Sequence, residues 1–126
     1  MNLEFNKNED QFKQLCYQLR VKQQKVALGG GEARIKDQHD KGKLTARERI
    51  AALTDEGTHF LEIGSFAADG MYAEVGGCPS AGVVTGIGYI HGRPCVIVAN
   101  DATVKAGAWF PMTRRSVRFH PRSYVP

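Results

Sequence analysis

The run "GVVTGIGYIHGRPCVIVAND", residues 82–101, limits the fold of this chain more than any other stretch. Two β-rich segments flank His91-Gly92-Arg93-Pro94, and a connection that short joins antiparallel strands only. Val83, Thr85, Ile87 and Tyr89 fall on one face by period two. Cys95 to Ala99 is unbroken apolar sequence, which predicts a strand covered on both faces. A lone hairpin is marginal in water, so this one needs apolar surface from elsewhere in the chain.

The preceding sequence offers helices. Residues 9–27 place Phe12, Leu15, Cys16 and Leu19 at i, i+3, i+4 and i+7, with Val26 extending the stripe. Gly29-Gly30-Gly31 ends that helix through backbone entropy. "EARIKDQHDKG" reads as a short, mostly solvated second helix whose one strong apolar residue is Ile35. "KLTARERIAALTDEG" is better defined: Thr45 and Glu48 form a capping box, Ala46, Ile50 and Leu53 share a face, and Gly57 follows the end. A short strand is expected around Phe60 to Ile63. Residues 64–81, rich in Gly, Ala and Asp, read as a surface loop.

Composition narrows the function classes. The 126 residues are 42% hydrophobic and 24% charged, the profile of one small globular domain. The net charge of +4 is local. Arg114, Arg115, Arg118 and Arg122 lie in the last thirteen residues, which hold no acid; taking those four from the 17 Lys and Arg leaves 13, equal to the 13 Asp and Glu. No basic face spreads over the fold and no base-reading motif is present, which argues against nucleic-acid binding. Three cysteines without a CxxC pair argue against a disulfide framework or a zinc ribbon. No apolar run approaches the ~18–20 residues of a membrane span, and the polar start is unlike a secretory signal, so a cytoplasmic protein is expected.

Familiar catalytic patterns fail on inspection. "GGGEARIK" lacks P-loop spacing, and Lys43 is followed by Leu44 rather than by a hydroxyl. "GIGYIHG" carries His91 where the dinucleotide fingerprint needs its third glycine. The four histidines never pair at metal-ligand spacing, and Ser65, Ser80 and Ser116 lack a nucleophile elbow. One stretch has a functional character: "ANDATVKAGA" puts small and polar residues at the end of a buried strand, where a ligand can approach backbone N–H groups.

Taken together, "GGGEARIKDQHDKGKLTARERIAALTDEGTHFLEIGSFA", "MYAEV" and "GVVTGIGYIHGRPCVIVANDATVKAGA" resemble the N-terminal part of the biotin-dependent acyl-CoA carboxylase β subunit, the carboxyltransferase. The resemblance spans residues 29–113. Ala102 after the Asp of "ANDATVKAGAWFP" sets it nearest the methylcrotonoyl-CoA carboxylase branch. It implies an α/β, crotonase-like fold (the ClpP/crotonase type), with residues 1–28 as a helical arm before it. It also implies carboxyl transfer from carboxybiotin, carried on a partner α subunit, to an acyl-CoA such as 3-methylcrotonoyl-CoA. The enolates would be stabilised by backbone N–H pairs. No cofactor would be bound by this chain directly, and the β subunits would form a homo-oligomer. By the same resemblance Asn100, Asp101, Thr103, Lys105, Ala106 and Gly107 are expected to form a wall of the acyl-CoA pocket. Lys43 and Arg47 are candidate contacts to a CoA phosphate. No catalytic side chain and no metal ligand is assigned.

Residues 114–126, "RRSVRFHPRSYVP", depart from the family's basic helix, and Pro121 and Pro126 are expected to forbid a helix interior there. The abrupt change predicts a shifted reading frame and a truncated, by itself inactive β subunit. It would lack the family's Gly-Gly oxyanion motif and second domain, and the Cys95–Ala99 strand would present an open apolar edge. The competing expectation is a non-enzymatic binding or assembly module that uses the helical arm and the basic tail.

Overall fold

A computed structural model describes the backbone of residues 3–122 and the side chains of residues 6–118. Its centre is the hairpin. Strands β2 (Val83–Ile90) and β3 (Arg93–Asn100) pair antiparallel from Val83↔Asn100 to Ile90↔Arg93. The turn is tighter than the sequence implies. His91 and Gly92 alone make it, with φ of 51° and 74°, and Arg93 and Pro94 already belong to β3. Two residues at positive φ match the twist of the flanking strands. Asp55 holds this turn, accepting from the N–H of His91 and of Gly92 at 2.7 Å each.

Strand β1 (Leu61–Ile63) pairs antiparallel with the other side of β2, so the sheet order is β1-β2-β3. Close approach at Gly86 and Gly88 makes this layer possible. A Cβ on Gly86 would lie 2.3 Å from the Leu61 carbonyl oxygen and 2.5 Å from the Phe60 ring. β3 is an edge strand, and it is covered on one face rather than two. Ile97 and Ala99 are buried, whereas Val96 and Val98 are 45% and 44% exposed. The apolar run therefore overstates its burial: only alternate residues meet the core.

Helix α1 (Leu3–Ala27) is longer than the periodicity implies, and its stripe is not a core face. Phe12, Leu15 and Leu19 stand exposed along it. α2 (Glu32–Asp40) buries no residue. α3 (Ala46–Leu53) begins with the expected capping box: Glu48 N–H donates to Thr45 Oγ1, and Thr45 N–H donates to Glu48 Oε2 at 2.7 Å. Its Ala46 and Ile50 join Val84, Ile97 and Ala99 in one core, while Leu53 points outward.

The segment 64–81 is more than a surface loop. Ala68, Cys78 and Ala81 are buried with Val104 in a second core, flanked by Tyr72, Phe110 and Met112. Burial pushes the Cys78 thiol up from its usual value, partly offset by its hydrogen bond with Thr113. Residues 111–122 form helix α4 (Pro111–Arg122), against the expectation of a broken tail. Pro111 takes the first position, where a missing N–H leaves nothing unpaired, and Pro121 falls in the last turn. Thr113 and Ser116 are buried against the domain. Pro126 lies outside the described residues.

A measurable consequence arises at the α2–α3 junction. His39 Nε2 lies 3.0 Å from both Glu48 oxygens. With the two Thr45 donors it lowers the Glu48 carboxyl from 4.5 to about 2. Because the folded value is depressed, the stabilisation is fully present above pH 4.5 and is lost as pH falls from there towards 2. Glu48→Gln should therefore show a flatter decline of melting temperature across that window than the parent chain. An equally steep decline would remove Glu48 from the acid response.

Candidate functional site

The turn that follows β3 is built by three interlocking side chains. Asp101 is buried; its N–H donates to Gly82 O at 3.0 Å. Its Oδ1 accepts from Thr103 N–H at 2.9 Å and from Thr103 Oγ1 at 2.6 Å, which closes the turn locally. Thr103 Oγ1 accepts in turn from Gly30 N–H at 2.9 Å. The triple-glycine segment is thereby clasped against the turn. A Cβ at Gly30 would fall 1.9 Å from the Thr103 carbonyl oxygen, so only glycine permits this approach.

Beyond Thr103 the backbone goes left-handed. Lys105, Ala106 and Gly107 have φ of 48°, 53° and 82°. Two non-glycine residues in this region cost on the order of 1 kcal/mol each, and such strain concentrates where ligands bind. Asn100 holds the shape: its Nδ2 donates to Gly107 O at 3.1 Å, and its Oδ1 accepts from Trp109 Nε1 at 3.2 Å. A second left-handed run, Ser80-Ala81-Gly82, lies beside the first through the Asp101–Gly82 bond.

Between this turn, the glycine segment and α2 lies a cavity of about 490 Å³. Thr103, Lys105 and Ala106 line one side, Gly76 and Gly77 another, and Arg34, Asp37 and Lys41 the α2 side. Three cations face one carboxylate. Lys41 Nζ bonds Asp37 at 2.7 Å and holds its carboxyl below the usual carboxylate value. A Gly76 Cβ would lie 3.6 Å from Lys105 Nζ, so the glycine leaves room for that side chain to reach across. A neighbouring cavity of about 540 Å³ shares Gly29, Gly30, Gly76, Gly77 and Pro79 with the first. Its lining is apolar, with Val26, Leu28, Phe66, Ala68 and Met71, and Lys22 and Lys25 at its edge. One groove thus has a cationic lobe and an apolar lobe, a form suited to a ligand with anionic and apolar ends.

Of the residues expected at the site, Thr103, Lys105 and Ala106 line the cationic lobe, and Asn100, Asp101 and Gly107 shape the turn behind it. Lys43 and Arg47 are not part of either lining. Arg47 instead engages Glu62 through both terminal nitrogens, one at 2.8 Å, in a partly buried pair. Sequence reasoning missed Arg34 and Lys41. Their spacing with Gln38, i, i+4 and i+7, marks one face of a helix, and that signal was available. Among the described residues no cluster of three His, Cys, Asp or Glu is arranged for a metal ion, and no helix is long and apolar enough to cross a membrane.

The carboxyl transferase domain matches residues 37–120, two thirds of the chain and the whole hairpin and turn. The chain belongs to the carboxyl transferase domain family. The matched span runs through the arginine-rich stretch of α4. Among curated relatives, the biotin-dependent 3-methylcrotonyl-coenzyme A carboxylase beta1 subunit of Mycobacterium tuberculosis is 49% identical over 104 residues, covering 82% of this chain and 19% of that protein. The methylcrotonoyl-CoA carboxylase beta chain of Dictyostelium discoideum is 50% identical over 96 residues, 76% of this chain and 16% of its own length. Among solved structures, the β subunit of P. aeruginosa geranyl-CoA carboxylase superposes with a TM-score of 0.72 at 33% identity, over 88% of this chain and 20% of that one. The transcarboxylase 12S core, solved as a hexamer with methylmalonyl-coenzyme A, gives 0.73 at 37% identity over 83% and 21%. The chain spans about a fifth of the length of the relatives it matches. The carboxyl transferase domain seen here is accordingly part of a crotonase-like carboxyltransferase fold, with the helical arm before it.

Proposed function

We propose that this chain builds the CoA-binding wall of the carboxyltransferase (β) subunit of a biotin-dependent acyl-CoA carboxylase, with 3-methylcrotonoyl-CoA as its substrate. The cationic lobe carries the reading. Arg34, Lys41 and Lys105 converge on one cavity beside a left-handed turn, and a CoA thioester brings phosphates at one end and an apolar acyl arm at the other. The apolar lobe continues from that cavity across the shared glycines, in line with the substrate's own order of groups. Lys105 and Arg34 would neutralise phosphate, and the turn backbone would offer N–H groups to a carbonyl or phosphoryl oxygen. Carboxybiotin would arrive on a partner α subunit, and no residue of this groove is assigned to it. The similarity to methylcrotonoyl-CoA carboxylase β chains supports the choice of acyl group.

Trp109 is the single tryptophan and is tied through Asn100 to Gly107, so its fluorescence reports on the turn. CoA should change that signal and bind saturably. Lys105→Ala and Arg34→Ala should each weaken CoA by about 3- to 10-fold, as expected for partly exposed charge-assisted contacts. Adenosine 3′,5′-bisphosphate should compete and pantetheine should not. Equal affinity in both variants, or competition by pantetheine alone, would move the phosphates out of this lobe.

A further inference from the structure

Helix α1 carries a surface that the domain does not use. Phe12, Leu15 and Leu19 are 68%, 62% and 54% exposed, and they lie on one stripe with the half-buried Cys16. Phe12 and Leu19 are seven residues apart with Leu15 between them, the spacing of a helix–helix seam. The charges along the same helix are polarised. Glu9 and Asp10 lie in its first half, no acid follows, and Arg20, Lys22 and Lys25 occupy its second half. The 25 residues span about 37 Å, so the two ends are well separated. We infer that α1 pairs antiparallel with α1 of a second copy of this chain.

Charge complementarity selects that occupant. Antiparallel pairing sets the acidic half of one copy against the basic half of the other, at both ends at once. Parallel pairing sets like on like at both ends. A partner of uniform charge would be repelled at one end, whereas a twofold pair satisfies each half with the other. The seam lies on the helix face bearing Phe12, Leu15 and Leu19, and Lys22 stays engaged with Asp69 of its own chain.

Analytical ultracentrifugation of the 126-residue chain tests this. The expected mass at about 10 µM is twice 13.9 kDa. Leu15→Glu should halve it without changing the circular dichroism, since the site is exposed. Glu9→Lys/Asp10→Lys and Arg20→Glu/Lys25→Glu should each halve the mass by making the two halves alike in sign. The quadruple reversal should restore the dimer, which only the antiparallel arrangement allows. A wild-type monomer, a dimer indifferent to Leu15→Glu, or a dimer abolished instead by Val96→Lys on the β3 edge would each overturn the proposal.

Discussion

Gly30→Ala should lower stability by about 3 kcal/mol, or on the order of 10 °C in melting temperature. The cause is space. The added methyl would sit 1.9 Å from the Thr103 carbonyl oxygen and 2.6 Å from its carbon, and both are backbone atoms that cannot swing aside. Relief requires the arm to move off the turn, which breaks the Gly30 N–H to Thr103 Oγ1 bond and opens the wall shared by the two cavities. Gly42 provides the contrast. It has φ of 67° with nothing within 4 Å of a built Cβ, so Gly42→Ala meets conformational strain alone, about 1 kcal/mol. Thermal melts of both variants, with hydrogen exchange along α1, separate the two causes. Equal losses would mean that the glycine segment is not clasped as described.

The sequence exposed the local chemistry of this fold better than its long-range packing. The capping box at Thr45 and Glu48 and the hairpin around His91-Gly92 are short-range devices whose residues determine them almost alone, and both are present. Burial was harder to read. Cys95 to Ala99 look alike in sequence, yet only Ile97 and Ala99 meet α3, because what covers each face is decided by segments far away in the chain. The stripe on α1 has the period of a core face and stands in solvent for the same reason.

The candidate site divides along the same line. "ANDATVKAGA" marks itself by small and polar residues after a strand, and it forms the strained turn. The cations opposite it come from α2, some seventy residues earlier, and only the docking of Gly30 on Thr103 brings them there. Arg47, which looks like a free basic residue, is consumed by Glu62 fifteen positions on. Charge in a sequence does not announce its partner.

Thr113→Val should cost about 2–3 kcal/mol although it preserves volume. Thr113 is fully buried. Its Oγ1 donates to Ala81 O at 2.5 Å and accepts from Phe110 N–H at 3.1 Å. Valine would leave a carbonyl and an amide without partners in a dry contact, and the penalty is their desolvation rather than lost packing. Ala81 is held at φ of 53° in a left-handed run, so the same hydrogen bond helps stabilise strained backbone beside the site. Thr113→Ser keeps both bonds and loses one methyl, about 1 kcal/mol. Chemical denaturation of the pair distinguishes the two origins: a valine loss no greater than the serine loss would show that the hydroxyl is not what fastens α4 to the Ser80–Gly82 turn. A larger valine loss makes Thr113 the joint through which the arginine-bearing helix becomes part of the domain rather than an appendage to it.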